Sequence, residues 1–333
     1  MSSVLLTGGS GYIGSHTATI LSEKNQNFII FDNLSNSKES TLSRIGKLTK
    51  SQVKFIKGDI RDTEKLIRVL CENDIAAVIH FAAKKSVDES ILSPLDYYDV
   101  NVLGTISLLN AMNEVGIKNL VFSSSATIYG EPNYLPIDEK HSLKSINPYG
   151  ETKIVVEKIL SDLVKSDKNW SIVSLRYFNP IGSHPLGIIG DDPTTSGSKN
   201  LMPVIIQVAK GQRKYLEIYG NDYNTHDGTG IRDYLHVMDL AEAHIKALNL
   251  IEKSKGLHVF NLGTGKGFSV FELIKSFEEI TSIKIPNIVV DRRLGDVASC
   301  YANPSKANNE LNWKTIYPLE EMCLSAWKFA KNL

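Results

Sequence analysis

Three glycines at a spacing of three residues, Gly8, Gly11 and Gly14, come directly after a short apolar run at the start of the chain. Glycine allows a tight turn, lets a pyrophosphate approach backbone N–H groups, and permits close packing of a helix on a strand. The N-terminus of the following helix would then direct its dipole at the phosphates. The segment therefore predicts a strand, a turn and a helix that open a dinucleotide-binding fold, with Tyr12 and Ile13 in the turn.

Short apolar runs and amphipathic stretches alternate over the first 180 residues. The amphipathic stretches, such as 62–71 and 100–114, are predicted to be helices. The apolar runs are mostly uninterrupted by polar residues, as expected for strands buried on both faces of a parallel sheet. This order predicts an α/β fold, a Rossmann-type doubly wound parallel sheet, with strands at 4–7, 28–32, 53–56, 76–81, 120–123 and 172–175.

The regular alternation ends after Asn179 and Pro180, and similar material returns at 235–240 and 259–263. We therefore predict a dinucleotide-binding Rossmann domain over residues 1–180, with return segments near 235–265. A smaller C-terminal α/β substrate domain is predicted over residues 181–333.

Charge and composition restrict the possible partners. Lys plus Arg and Asp plus Glu number 37 each, and the sequence pI is about 7.1. No basic excess favours nucleic acid or an anionic membrane as a partner, and no apolar run approaches the ~20 residues of a membrane span. The three scattered cysteines favour reduced thiols in the cytoplasm over a disulfide framework. No metal site is predicted.

Two aspartates follow predicted strands and are candidate cofactor ligands. Asp32 ends the second strand, where a carboxylate can bind the ribose 2′-hydroxyl of a dinucleotide. No arginine follows directly to bind a 2′-phosphate, so NAD is favoured over NADP. Asp59 lies after the third strand and could reach the adenine. Each aspartate has an alternative role as the cap of a following helix.

Tyr149 and Lys153 lie four residues apart in a segment that Pro148 marks as the start of a helix. That spacing places both side chains on one helix face. A tyrosine acting as a base near neutral pH needs its pKa lowered by ~3 units, or about 4 kcal/mol. A lysine ammonium about 5 Å away supplies ~3 kcal/mol at an effective dielectric of ~20, and an oxidised nicotinamide ring can supply the rest. An isolated Tyr and Lys at this spacing would more often be solvated surface residues.

Three serines, Ser123, Ser124 and Ser125, follow the fifth predicted strand. Ligands bind at the carboxyl ends of the strands in such sheets, so a hydroxyl there could bind or relay a proton to a reacting oxygen. Ser125 is one candidate, but the residues alone do not decide among the three, and a turn-stabilising role is equally open.

The chain resembles the extended short-chain dehydrogenase/reductase family, and within it the epimerases that act on nucleotide sugars. The resemblance runs over nearly the whole chain and is carried by residues 7–16, 32–34, 97–99, 123–130, 176–180, 200–203, 227–234 and 310–313. It implies tightly bound NAD, a UDP-sugar substrate and reversible epimerisation of UDP-glucose and UDP-galactose at C4. Tyr149 would take the proton of the 4-hydroxyl, and the hydride would leave C4 and return to its other face. The resemblance also implies a homodimer formed through helices around 100–114 and 149–163.

The site residues that the resemblance implies fall into three groups. The catalytic residues are Ser125, Tyr149 and Lys153. The cofactor-binding residues are Gly8, Gly11, Tyr12, Ile13, Gly14, Asp32, Asn33, Asn36, Ser37, Asp59, Ile60, Phe81, Ala82, Lys85, Asn101, Tyr149, Lys153 and Phe178. The substrate-binding residues are Ser125, Tyr149, Asn179, Asn200, Leu201, Tyr219, Arg232, Arg293, Asp296 and Cys300.

Two details refine the expected activity. Many bacterial relatives carry a tyrosine at the position of Cys300, so the smaller thiol predicts room for an N-acetyl group and activity on UDP-N-acetylhexosamines. Its alternative is an ordinary buried cysteine. Dehydratases and decarboxylases of this fold tend to carry acidic residues where this chain has Ala126 and Thr127, which argues against both reactions. A NAD-binding regulator without turnover is the remaining alternative.

Overall fold

The computed structural model describes residues 2–194, 200–293 and 295–333. The strands are β1 (Ser3–Thr7), β2 (Phe28–Asp32), β3 (Phe55–Lys57), β4 (Ile75–His80), β5 (Asn119–Ser125), β6 (Ser171–Tyr177), β7 (Asn179–Ile181), β8 (Leu216–Tyr219), β9 (Ile231–Arg232), β10 (Tyr234–His236), β11 (Gly256–Leu262), β12 (Phe268–Ser269), β13 (Asn287–Val290) and β14 (Ser299–Cys300). The helices are α1 (Tyr12–Glu23), α2 (Ser40–Thr49), α3 (Thr63–Glu72), α4 (Val87–Leu92), α5 (Pro94–Tyr97), α6 (Gly104–Val115), α7 (Pro148–Ser166), α8 (Leu201–Ala209), α9 (Val237–Ile251), α10 (Val270–Thr281), α11 (Ser305–Glu310) and α12 (Leu319–Lys331).

Seven strands form one parallel sheet in the order β3-β2-β1-β4-β5-β6-β11. The order reverses direction between β1 and β4, and ligands bind at such a switch point in open α/β sheets. The predicted fold class, a doubly wound parallel sheet, is confirmed. The last strand of the sheet, β11, comes from the returning part of the chain near residue 260.

The sheet is buried on both faces because most of the side chains along its strands are apolar. Along β1, Leu5 belongs to one core cluster, whereas Val4 and Leu6 belong to another, as expected when successive side chains point to opposite faces. Helices α1, α2 and α9 pack on one face, and α3, α6 and α7 pack on the other. Helices therefore support the strands from both faces of the sheet, up to the carboxyl ends where ligands bind in such folds.

The predicted helix at 100–114 begins differently in the structure. A π-helical segment, Tyr98–Leu103, comes first, and α6 starts only at Gly104. Such segments are rare and often occur at functional sites. This one places Asn101 next to the loop that follows β4, where its side chain binds both the N–H and the C=O of Lys84.

The remainder of the chain builds a smaller layer beside the carboxyl edge of the sheet. Strand β10 pairs with β7, β13 pairs with β8, and β9 lies between β12 and β14. A third core cluster joins α8, α10 and α12. Within the described residues, no helix combines the length and apolar character needed to cross a bilayer.

Four histidines, His16, His80, His236 and His244, are almost fully buried. Burial is the main cause that lowers their pKa values, to about 3 for His16 and His80 and about 4 for His236 and His244. Each is therefore neutral in the folded protein, whereas its unfolded counterpart takes up a proton below about pH 6.5. Folding stability is then full above that pH and falls as the pH drops toward 4.

We expect His16→Asn to make the stability less dependent on pH. Between pH 6 and 4, removal of one such histidine should reduce the slope of the free energy of unfolding by about 1.4 kcal/mol per pH unit. Urea unfolding at several pH values measures that slope. The wild-type protein, measured over the same pH range, gives the reference slope. An unaltered slope in His16→Asn would contradict the assignment.

Candidate active site

The glycine turn between β1 and α1 is closely packed against the loop after β4. Gly8 has φ +69°, and a Cβ there would lie 2.6 Å from the backbone N of Ala82. A Cβ at Gly14 would lie 2.7 Å from the carbonyl oxygen of Gly8. Helix α1 begins at Tyr12 with Gly11 as its N-cap, which provides no side-chain cap for the first N–H groups. These groups and the missing Cβ atoms form a cradle that fits the pyrophosphate of a dinucleotide.

Asp32 closes the turn from the neighbouring strand. Its carboxylate accepts hydrogen bonds from the backbone N of Ser10, at 3.1 Å, and of Leu34, at 2.8 Å. The hydroxyl of Ser37 lies 3.0 Å from that of Ser10. Helix α2 begins only at Ser40, so Asp32 does not cap it.

Asp59 does not cap the helix that follows it either. Asp62 is the N-cap of α3, accepting from Lys65 N at 2.9 Å. The Asp59 carboxylate instead accepts from Arg61 and Asn33, and the hydrogen bonds from Arg61 are the largest cause that lowers its pKa below the usual range. Asp59 and Asn33 therefore lie together beyond the ends of β2 and β3.

The other predicted cofactor residues differ in their contacts and in their burial. Tyr12 donates a hydrogen bond to the carbonyl of Gly182, at 2.6 Å, and Phe81 packs on His244 with ring centroids 4.7 Å apart. Asn36 and Lys85 are exposed, Ile13 and Ala82 are half-buried, and Ile60, Asn101 and Phe178 are buried. The side chains of Ile60 and Asn101 point into packed surroundings, since a Cβ on Gly104 would meet Ile60 at 2.5 Å and the Asn101 amide donates to Lys84 and Thr152.

Helix α7 positions the Tyr–Lys pair. Asn147 caps it by accepting a hydrogen bond from Gly150 N, at 2.9 Å, and Pro148 occupies its first turn. Lys153 is buried, and its Nζ donates to the carbonyl of Ser123 at 2.7 Å. The same Nζ lies 6.0 Å from the ring centroid of Tyr149. The two side chains therefore lie near each other along the helix, as the spacing predicts, and Lys153 contacts the end of β5.

The pKa of Tyr149 differs from the sequence expectation. Burial raises it above the usual value, and the hydrogen bond with Ser125 opposes that rise. Burial lowers the pKa of Lys153 to about 7, and the charge of Glu157 acts in the opposite direction. Within the polypeptide alone, the lysine therefore loses its proton before the tyrosine does. The expected lowering of the Tyr149 pKa by Lys153 requires that Lys153 stay charged.

Each of the three serines has a different role. The Ser123 carbonyl binds Lys153, and the Ser124 hydroxyl donates to Glu157 at 2.6 Å. The Ser125 hydroxyl contacts Tyr149 and also accepts from the backbone N and side chain of Thr127, at 3.2 and 2.9 Å. Of the three hydroxyls, that of Ser125 is the one that opposes the rise in the pKa of Tyr149.

Four of the predicted substrate residues form a charged cluster beyond the end of the sheet. Arg293 binds Asp296 through Nη2 at 3.0 Å and Nε at 3.2 Å. Arg232 lies 3.7 Å from the same carboxylate, and the Arg293 guanidinium lies 5.3 Å from the ring centroid of Tyr219. Arginine suits bidentate binding of phosphates, so Asp296 holds two guanidinium groups where a diphosphate can bind.

The remaining predicted substrate residues surround this cluster. Cys300 is opposite Arg232 in the β9–β14 pair and is buried, which raises its pKa to about 11. Asn179 is exposed at the start of β7. Asn200 is exposed before α8, where Leu201 packs on the third core cluster. One cavity is lined in part by Tyr12, a predicted cofactor residue, and by Asn200, a predicted substrate residue.

Sequence reasoning missed three buried polar groups behind the site. Glu157 pairs with Arg176, and Tyr177 donates to Nε2 of His244 at 2.6 Å. The Asp233 carboxylate accepts hydrogen bonds from residues 264, 265 and 302, and so fixes the backbone beside Arg232. The position of Glu157 near the site could have been predicted, because it is one helical turn after Lys153. The position of Asp233 could not, since its partners are distant in sequence.

The chain is similar to known proteins over nearly its whole length. A family model described as GDP-mannose 4,6 dehydratase matches residues 5–325. A curated protein from Pasteurella multocida (strain Pm70), described as UDP-glucose 4-epimerase, is 49% identical over 329 residues, which are 98% of this chain and 97% of that protein.

Two solved structures are similar over almost their full length. One is a UDP-glucose-4-epimerase from Stenotrophomonas maltophila with bound NAD and formylated UDP-arabinopyranose, with a TM-score of 0.97, 45% identity, and coverage of 100% of this chain and 98% of that one. The other is a UDP-glucose 4-epimerase from Bifidobacterium longum in complex with NAD+ and UDP, with a TM-score of 0.96, 44% identity, and coverage of 99% and 98%.

Proposed function

The chain belongs to the UDP-glucose 4-epimerases of the extended short-chain dehydrogenase/reductase family, and we propose that it interconverts UDP-glucose and UDP-galactose with tightly bound NAD. The observation that carries this proposal is the meeting of Tyr149, Lys153 and Ser125 at the end of β5. It lies at the edge of the sheet that also carries the glycine cradle, and the arginine cluster lies beyond it. Together these parts can hold a dinucleotide and a nucleotide sugar in contact.

When bound, NAD would supply the hydride chemistry: the hydride of C4 of the sugar would pass to it and return to the opposite face. Tyr149 Oη takes the proton of the 4-hydroxyl as that hydride leaves, and gives the proton back when the hydride returns. Ser125 binds the same oxygen and steadies the growing C=O bond. The Lys153 ammonium favours the phenolate form of Tyr149, since an opposite charge ~6 Å away is worth roughly 3 kcal/mol at an effective dielectric of ~20.

The return of the hydride to the other face requires that the sugar turn while the nucleotide stays bound. Arg232 and Arg293 support this step, because two guanidinium groups held by Asp296 can retain the diphosphate. Ala126 and Thr127 continue the chain after Ser125, so no carboxylate at these positions serves an elimination of water. Removal and return of hydride is then the reaction that these side chains support.

Purified protein is expected to convert UDP-galactose to UDP-glucose without added cofactor, as measured by chromatography. Tyr149→Phe should lower kcat by roughly 1000-fold, the usual scale for loss of a general base. Tyr134→Phe is the control, because Tyr134 is exposed, and should keep full activity. Lack of conversion by folded wild-type protein, even with NAD supplied, would refute the proposed function and favour a binding role.

We further propose that UDP-N-acetylglucosamine and UDP-N-acetylgalactosamine are substrates. Cys300 lies beside Arg232 in the strand pair, at the predicted substrate side, and its thiol is much smaller than the tyrosine of many bacterial relatives. The thiol is buried and its pKa is raised, so it acts as a small apolar wall. We expect a side chain of this size to leave more room for an acetyl group near the sugar than a phenol ring would.

Cys300→Tyr should reduce kcat/KM for UDP-N-acetylgalactosamine by at least 100-fold, because the phenol ring would fill the acetyl space. Turnover of UDP-galactose should stay within threefold, and Cys300→Ser is the control for loss of the thiol. Chromatographic assays with both substrates measure the ratio. Retained acetylhexosamine activity in Cys300→Tyr would contradict the proposal.

We also propose a cytoplasmic homodimer. The described cysteines, Cys71, Cys300 and Cys323, are free thiols, the state that a reducing compartment maintains. Two apolar side chains near the predicted interface helices are largely exposed to solvent. The exposed fraction is 82% for Leu92 and 81% for Leu95. Exposed apolar patches of this kind mark protein–protein contacts.

Leu95→Asp is expected to convert the dimer to a monomer, because association would bury the introduced charge. Ile316→Asp is a matched control, since Ile316 is 74% exposed and lies in the segment between α11 and α12, outside these helices. Sedimentation velocity of the two variants and the wild type measures their mass. A wild type that sediments as a monomer, or an intact Leu95→Asp dimer, would contradict the proposed interface.

A further inference from the structure

Glu157 is a charged side chain in the interior of the protein, only 6% exposed. One carboxylate oxygen accepts from the hydroxyls of Ser124, at 2.6 Å, and Ser174, at 2.8 Å, and from Nε of Arg176 at 3.1 Å. The other accepts from Nη2 of Arg176 at 2.6 Å. A buried ion pair seldom stabilises a fold more than apolar residues of the same volume would. Its presence here therefore calls for another reason.

The carboxylate is connected to the Tyr–Lys pair along two routes. Along α7, Glu157 is one helical turn after Lys153, and so lies on the same helix face. Across the sheet, it holds the Ser124 hydroxyl. Ser124 is the middle residue of the segment whose first carbonyl binds Lys153 and whose last hydroxyl contacts Tyr149.

On this geometry, and resting on the proposed function, we propose that Glu157 is a positioning residue that keeps Lys153 protonated and aligned with Tyr149. Glu157 acts through Lys153 and through Ser124, and it touches neither substrate nor cofactor. Its partner Arg176 is held in turn by the Tyr129 hydroxyl, at 2.8 Å. These hydrogen bonds fix the orientation of the Glu157 carboxylate, which lies close to both α7, the helix of Lys153, and the segment of Ser124.

The charges around Lys153 give Glu157 this role. Tyr149 and Glu157 lie on its own helix, and His80 on β4 feels the lysine charge. Further out, the ring of Tyr97 on α5 packs edge-on against Tyr149, and Tyr177 on β6 interacts electrostatically with it. Glu157 is the one acidic group among these neighbours in the described part of the chain.

The protonation of Lys153 depends on that carboxylate. Burial brings the pKa of Lys153 down to about 7, and Glu157 opposes the fall. Removal of the carboxylate would also leave the Arg176 guanidinium without its counter-ion. Both changes favour the neutral amine, so Lys153 would lose its proton at a lower pH.

Glu157→Gln tests the proposal, because the amide keeps the shape of the side chain and removes its charge. In the protein as purified with its cofactor, the alkaline limit of kcat/KM should move down by about one pH unit. Above that limit kcat/KM should be about tenfold below wild type. Ser174→Ala is the matched control, because it removes a hydrogen bond to the same carboxylate oxygen without changing a charge, and should keep the wild-type limit.

A second readout does not depend on turnover. The 13C shift of lysine Cε reports the charge of the amine, and the Lys153 signal is identified by its loss in Lys153→Met. Its titration midpoint should fall in Glu157→Gln and stay in place in Ser174→Ala. This readout remains valid if UDP-galactose proves not to be a substrate, so failure of the proposed function would not be mistaken for failure of this inference.

Glu157→Gln leaves Arg176 unpaired and is expected to destabilise the fold. Arg176→Met is therefore measured with it, because this variant keeps the Glu157 charge and removes the guanidinium charge that opposes it. A lower Lys153 midpoint in folded Glu157→Gln, or a higher midpoint in folded Arg176→Met, supports the proposal. A wild-type midpoint and a wild-type pH limit in whichever of these variants folds would overturn it.

Discussion

The ammonium group of Lys153 lies in the protein interior, where it donates to the carbonyl of Ser123 and faces the ring of Tyr149. An isolated buried charge is expensive, and burial lowers the pKa of this lysine to about 7 even though the charge of Glu157 opposes the fall. The tyrosine is pushed in the opposite direction, because burial also disfavours its phenolate. The proposed base exists only if the two charges form together, and Glu157 is the group whose charge opposes the fall in the pKa of the lysine.

The parallel sheet makes that arrangement possible. Its strands end at one edge, and β1, β5 and the strands beside them deliver the glycine cradle and the serine segment to the same place. Helix α7 then brings Tyr149, Lys153 and Glu157 to this edge along one face, at successive intervals of four residues. The smaller layer adds the arginine cluster, whose backbone is fixed by the buried carboxylate of Asp233. One fold thus brings together the Tyr–Lys pair and, beyond it, the arginine cluster.

Much of this could be predicted from the sequence. Strand β2 occupies the predicted residues, Phe28–Asp32, and α7 begins at the predicted proline, because buried parallel strands and capped helices leave strong local patterns. The π-helical segment could not be predicted, since apolar periodicity does not distinguish it from the first turn of an α-helix. The clustering of Arg232, Arg293 and Asp296 entered through family resemblance alone, because it depends on contacts between distant segments.

The electrostatics were the least accessible part of the site. The spacing of Tyr149 and Lys153 gave their shared face correctly, but the balance between burial and charge depends on depth, which no spacing reveals. The choice among the serines was partly accessible, because alternation along a strand places Ser124 opposite to Ser123 and Ser125. The sequence did not reveal that the Ser124 hydroxyl donates to the carboxylate of Glu157, although Glu157 lies one helical turn after Lys153.

The central claim is that the hydrogen at C4 leaves as a hydride and returns within the same site. Conversion of UDP-galactose that carries deuterium at C4, followed by NMR of the product in ordinary water, tests it most directly. The account predicts that the UDP-glucose formed keeps the deuterium at C4, because the hydride never exchanges with solvent. Loss of the label to water would show that C4 is epimerised by proton abstraction, and would contradict the roles assigned to Tyr149 and Lys153.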